Sequence, residues 1–185
     1  MLALLLLVMC CISSSAAQPG SYNDGSGVKP CEAGTFSMAR EATSCTKCAE
    51  GSISGPGASE CIVCPAGMFY VSSSECRHCD AGKYSKMPGS KECLNCAAGY
   101  GSSRTSSICT PCPRGSASAG GRACGTCPAG SYAAKVGSTI CTYCQARTAS
   151  SVVGATDKSQ CIWCKNQPSL ALARGFTPAG SSVCY

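Results

Sequence analysis

Residues 79–96 read Cys79-Asp80-Ala81-Gly82-Lys83-Tyr84-Ser85-Lys86-Met87-Pro88-Gly89-Ser90-Lys91-Glu92-Cys93-Leu94-Asn95-Cys96, and this stretch decides the fold. It opens Cys-x-x-Gly, closes on a cysteine, and passes through two residues to the next opening cysteine. A glycine three residues after the opening cysteine suits a turn that needs positive φ. The same opening recurs as Cys31-Glu32-Ala33-Gly34-Thr35-Phe36 and as Cys127-Pro128-Ala129-Gly130-Ser131-Tyr132. Nine such units tile the chain from Cys31 to Cys184 with no cysteine left over.

Between units stand Cys-x-x-Cys steps at 45/48, 61/64, 76/79, 93/96, 109/112, 124/127, 141/144 and 161/164. Their first cysteines are spaced 16, 15, 17 and again 16, 15, 17, so Cys45, Cys93 and Cys141 are each 48 residues apart. Three short units therefore form one long unit. Fixed periodicity of this kind signals a quasi-linear array whose modules touch mainly their neighbours. The turn glycine recurs at Gly34, Gly51, Gly67, Gly82, Gly99, Gly115 and Gly130, and is replaced by Arg147 and Gln167 in the last two units. Phe36, Phe69, Tyr84 and Tyr132 each follow an opening cysteine by five residues. Each ring is expected to pack over its disulfide as the core of its unit, in preference to a ligand-binding role. Gly, Ser and Pro interrupt every helical stripe, so short two-stranded ribbons and turns are expected.

Of 185 residues 20 are cysteine, while aromatic residues make up 6%. A chain of that composition cannot bury a sizeable apolar core and is stapled covalently instead. The apolar run Leu2–Ile12, followed by Ser13 to Ala17, reads as a secretory signal peptide over residues 1–17, cut after Ala17. It is too short to span a bilayer, which takes about 20 apolar residues. Its removal discards Cys10 and Cys11 and leaves eighteen cysteines, an even number as nine disulfides require. Residues 18–30 read as an N-terminal linker, 31–144 as tandem cysteine-rich repeats and 145–185 as two longer, degenerate repeats. No second hydrophobic run follows, so the mature chain is expected to lack a membrane span and to be secreted. An ectodomain fragment of a longer receptor or surface antigen is the first alternative.

Paired Cys-x-x-Cys steps also describe four-thiolate zinc sites. A thiol-rich zinc-binding protein is therefore the second alternative, against which stands export to an oxidising compartment. Cys76-Arg77-His78-Cys79 is the nearest approach to a redox motif, but no βαβ domain that would lower a thiol pKa fits between the steps. A single histidine and scattered acids provide no nucleophile, base and orienting group together, so no enzyme activity, cofactor or metal is expected. Residues 18–92 carry a net charge of −1 and residues 93–185 carry +7. Arg104, Arg114, Arg122, Lys135, Arg147, Lys158, Lys165 and Arg174 are spread singly, which reads as solubilising charge with contact to polyanions as the alternative. Without an aromatic and basic platform, nucleic-acid binding is not expected. None of Asn23, Asn95 and Asn166 begins an Asn-x-Ser/Thr acceptor.

CEAGTFS, CPAGMFY, CDAGKYS and CPAGSYA, each followed by a Cys-x-x-Cys step, resemble the ephrin-receptor-like cysteine-rich repeat from Cys31 to Cys144. That repeat shares its layout with the simplest cysteine-rich module of tumour necrosis factor receptors, and similar arrays occur in protist surface and secreted proteins. From Gln145 onward the resemblance weakens. It implies a small disulfide-rich fold, an extended tandem array of β-ribbon and turn modules with little helix. It also implies an extracellular structural or protein-interaction module without catalysis, whose partner is an extracellular protein or glycan. In the simplest receptor-type module the opening cysteine pairs with the closing one. Carried over, this pairs Cys31 with Cys45, Cys48 with Cys61, Cys64 with Cys76, Cys79 with Cys93 and Cys96 with Cys109. It further pairs Cys112 with Cys124, Cys127 with Cys141, Cys144 with Cys161, and Cys164 with Cys184.

Overall fold

The computed structural model describes residues 16–164 and 179–183. Residues 1–15 of the expected signal peptide, most of the ninth unit and Cys184 lie outside the described residues. Modules are numbered here from 1, opening at Cys31, to 9, opening at Cys164.

Module 4 shows how the repeat folds. The Lys83 N–H donates to the Asp80 carbonyl at 3.0 Å and closes a turn whose third residue, Gly82, has φ 84°. Positive φ at that position defines a type II turn and selects glycine. The strand Lys83–Tyr84 then pairs antiparallel with Leu94–Asn95, and the Cys96 N–H donates back to the Gly82 carbonyl at 2.8 Å. Two-residue strands are too short to hold alone, and the Cys79–Cys93 bridge ties the start of the module, ahead of the turn, to the residue that leads into the second strand. Nine two-stranded antiparallel sheets of this kind stand among the described residues. Module 8, whose bridge spans 17 residues, fills its longer loop with the 3-10 turn Lys158–Gln160, capped by Asp157.

Each bridge closes one module: Cys31–Cys45, Cys48–Cys61, Cys64–Cys76, Cys79–Cys93, Cys96–Cys109, Cys112–Cys124, Cys127–Cys141 and Cys144–Cys161. Their Cα–Cα distances run from 5.4 to 5.8 Å, within the ordinary disulfide range. Cys164 is also in a disulfide. The two cysteines of every step between described modules therefore belong to different bridges.

Backbone hydrogen bonds carry one module onto the next. From module 4, the Gly82 N–H donates to the Ser102 carbonyl at 3.0 Å and the Ser85 N–H to the Ser106 carbonyl at 3.3 Å. In return, the Thr105 N–H of module 5 donates to the Cys79 carbonyl at 2.9 Å. Such approach needs small side chains at the contact. Ser37, Ser54, Ser85, Ser102, Ser118 and Ser150, each six residues after an opening cysteine, are all buried. With the opening half-cystines they form the core. Phe36, Phe69, Tyr84 and Tyr132 stand outside this fully buried set and are half-buried.

Contacts also reach the second neighbour, beyond the nearest-neighbour array that periodicity suggests. A β-carbon on Gly82 would overlap the backbone of Arg122 in module 6, and one on Gly130 would overlap the Gly180 carbonyl in module 9. Lys91 of module 4 pairs with Glu50 of module 2, and Arg114 of module 6 lies 3.9 Å from Asp157 of module 8.

Residues 18–30, the expected linker, contain a hairpin of Ser21–Asn23 and Val28–Pro30. Ala17 sits where an opening cysteine would stand. It is 1% exposed, as Cys31 is, and its carbonyl accepts the Glu41 N–H at 2.7 Å. Gly20 forms the turn, with the Ser21 N–H donating to Gln18 and the Cys31 N–H to Gly20. Backbone bonding and stacking thus make a module without a disulfide, and Ala17, expected as the last leader residue, is built into it.

Three non-glycine residues hold positive φ at repeat-equivalent places: Glu41, Thr105 and Arg147. Arg147 keeps the turn that the sequence suggests is lost, and its carbonyl accepts the Cys164 N–H at 3.0 Å. Left-handed backbone costs an L-residue about 1–2 kcal/mol, partly offset by the greater freedom of glycine in the unfolded chain. Glu41→Gly should therefore stabilise the protein by about 0.5–1 kcal/mol, read as a raised midpoint in urea unfolding.

Candidate interaction surface

Seven opening half-cystines are buried, Cys48 and Cys164 are half-buried, and the closing ones lie nearer the surface, so each module displays its Cys-x-x-Cys junction and its loop tip. In the junctions the second spacer residue receives the loop of the second module onward. A β-carbon on Gly89 would lie 3.4 Å from Val63 Cγ1, and one on Gly154 would lie 3.0 Å from Thr126 Cγ2. At the equivalent place Thr105 Oγ1 hydrogen-bonds His78 Nδ1 at 2.9 Å. His78, the one histidine of the Cys76-Arg77-His78-Cys79 step, thus serves a contact between modules.

The first spacer residue points to the other side and remains open. Ile62, Leu94 and Ile162 hold this place and are exposed, with Ile162 at 69%. Trp163 beside it is exposed as well. One further position changes character along the chain. The residue before the closing cysteine is Glu60, Glu75 and Glu92 in modules 2 to 4, but Ile108, Ala123 and Ile140 in modules 5 to 7. Ile108 and Ile140 are exposed, the latter at 70%. The proximal modules therefore display acids where the distal ones display aliphatic side chains, and the distal ones also carry the basic excess.

The ion pairs on this surface are exposed and add little to stability, because water screens them. Lys29, bonded to the Asp24 carboxylate at 2.7 Å with help from Ser26, holds the Asp24 pKa well below the usual range. Lys91 lowers Glu50 in the same way. The backbone N–H of Ser159, at 2.8 Å, lowers Asp157, and Arg114 adds to it through space. The Arg114 guanidinium also donates to the Thr156 carbonyl at 3.0 Å, so this cation is spent on holding modules 6 and 8 together.

The structure brings together in pairs sixteen of the cysteines singled out in the sequence, from Cys31 to Cys161. The expected partner of Cys164, Cys184, is outside the described residues. Sulfurs held in disulfides are not thiolate ligands. Among the described residues no group of three or more His, Cys, Asp or Glu side chains is placed to hold a metal ion, and no helix is long and apolar enough to cross a membrane.

What the repeat resembles is decided by modules 6 to 8, where turn, hairpin and bridge recur through Cys161. Residues 115–161 match the family model described as tyrosine-protein kinase ephrin type A/B receptor-like. The matched stretch, residues 115–161, is similar to a cysteine-rich module of the structural and interaction type. It crosses Gln145, where the sequence resemblance was expected to weaken. Arg147 explains why: it adopts the glycine conformation, so module 8 keeps the turn without the residue that announces it. No curated protein matches the chain.

Proposed function

We propose that this is a secreted or surface-associated structural and interaction protein. Its disulfide modules hold short loops outward for an extracellular protein or glycan partner. The observation that carries the reading is the set of eight successive bridges, one per module, in a chain whose core is otherwise serine and alanine. Such a core folds only where thiols are oxidised. The ephrin-receptor-like match over residues 115–161 supports the same class. Recognition is assigned to the distal junctions and loops, where Ile108, Ile140, Ile162 and Trp163 are exposed within the basic half.

Export is tested by expressing the full chain in a eukaryotic secretory host. Oxidised protein is expected in the medium, with no thiol reactive toward an alkylating reagent under native conditions. Replacing Leu4, Leu5 and Leu6 with Asp should keep the product inside the cell, reduced and insoluble. Undiminished export of that variant overturns the leader assignment. Zinc bound by reduced thiols in the exported protein overturns the disulfide reading.

A further inference from the structure

Among the eight bridges whose two half-cystines are both described, one opening half-cystine departs from the pattern that buries the rest. Cys31, Cys64, Cys79, Cys96, Cys112, Cys127 and Cys144 are each at most 2% exposed. The same loop bond covers each of them. The N–H of a positive-φ residue in the next module (Gly57, Gly89, Thr105, Gly121, Gly137, Gly154 or Gly180) donates to the half-cystine carbonyl at 2.7–3.0 Å. Even Ala17 receives this bond. Cys48 does not: among the described residues no backbone N–H donates to its carbonyl, and it is half-buried. Its partner Cys61 is half-buried too.

Module 3, which follows, supplies the reason. Where other modules turn back over their neighbour, Val71 and Ser72 continue the strand Met68–Ser72, paired with Glu75–His78 in the longest hairpin of the described residues. Val71 favours extended backbone, and no residue between Val71 and Glu75 takes positive φ. Loop length is not the cause. Module 6 also spans 12 residues between its cysteines, yet Gly120 and Gly121 let its loop fold over Cys96.

Thiol–disulfide exchange requires a thiolate to reach a sulfur, so its rate follows access. At the seven other described bridges one half-cystine is sealed, so attack is confined to the half-buried closing sulfur and the leaving thiolate would form in a buried, poorly solvated place. At Cys48–Cys61 either sulfur can be attacked or leave toward water. We propose that Cys48–Cys61 is the thiol-exchange site of this array, opened by a small exogenous thiol of the glutathione class. The attacking thiolate joins one bridge sulfur as a mixed disulfide and releases the other, which takes up a proton. A second thiol then displaces the first as a free disulfide. Two exogenous thiols are oxidised and the bridge is reduced to two cysteine thiols. Opening releases the segment 48–61, which holds module 1 through the bond from the Gly57 N–H to the Cys31 carbonyl.

The test treats the oxidised full-length protein with graded reduced glutathione, quenches with one alkylating reagent, then reduces fully, labels with a second and maps the peptides. Cys48 and Cys61 should carry the first label about tenfold sooner than the cysteines of the other seven described bridges. Labelling in which another of these bridges opens first, or all open together, overturns the proposal. A variant with Ser72→Gly and Ser73→Gly places glycines where module 6 has Gly120 and Gly121. It should slow exchange at Cys48–Cys61 to the rate of the sealed bridges, and an unchanged rate overturns the covering-loop explanation.

Discussion

Gly82→Ala should lower stability by about 3 kcal/mol or more, a cost typical of overlap with fixed backbone. Two effects combine. Gly82 holds φ 84°, where an alanine costs about 1–2 kcal/mol. The new methyl would also overlap the N, Cα and C atoms of Arg122, which cannot swing aside as the end of a flexible side chain can. Gly25→Ala separates the two effects, because φ there is 92° but nothing lies within 4 Å of the added carbon. It should cost only about 1 kcal/mol. Urea unfolding of the two oxidised variants gives the comparison. Hydrogen exchange adds the location: in Gly82→Ala the Thr105 and Gly121 amides, which bond back to Cys79 and Cys96, should lose protection. Equal costs for the two substitutions would mean that module 4 does not press on module 6.

One residue type carries most of this fold, which is why so much of it is legible in the chain. Cysteine spacing marks the module boundaries, and the glycine after Cys-x-x announces a type II turn. The N-terminal hairpin escapes such reading because Ala17 does a cysteine's packing without a cysteine's signature. Arg147 escapes it for a related reason: left-handed backbone is costly for arginine but accessible when the surrounding bonds demand it. The serine core is hidden because serine is ordinarily a surface residue. It becomes buried here through backbone bonding between modules, which has no side-chain pattern. Contacts between second neighbours depend on the path of the stack in space. Of the candidate surface, the basic excess after residue 93 is plain in the sequence. The change from Glu60, Glu75 and Glu92 to Ile108, Ala123 and Ile140 becomes meaningful once the hairpins show these residues to be equivalent.

Removing one sealed bridge, by replacing both Cys112 and Cys124 with serine, should cost about 3–5 kcal/mol. Both must go, since a lone Cys124 thiol would attack neighbouring bridges. In the chain-entropy model the loop alone contributes about 3 kcal/mol, and Cys112 is fully buried, so its sulfur also leaves packing behind. The damage should be local. Module 6 contacts module 4 through Arg122, module 7 through the bond from the Gly137 N–H to the Cys112 carbonyl, and module 8 through Arg114. The Gly115 and Gly137 amides should therefore exchange faster, while the Asn23 and Cys31 amides of the N-terminal hairpin keep their protection. In a stack held by near-neighbour contacts, the loss fades with distance from the missing bridge. If the amides at both ends of the chain lose protection to the same extent, the modules unfold as one cooperative body and the local reading fails.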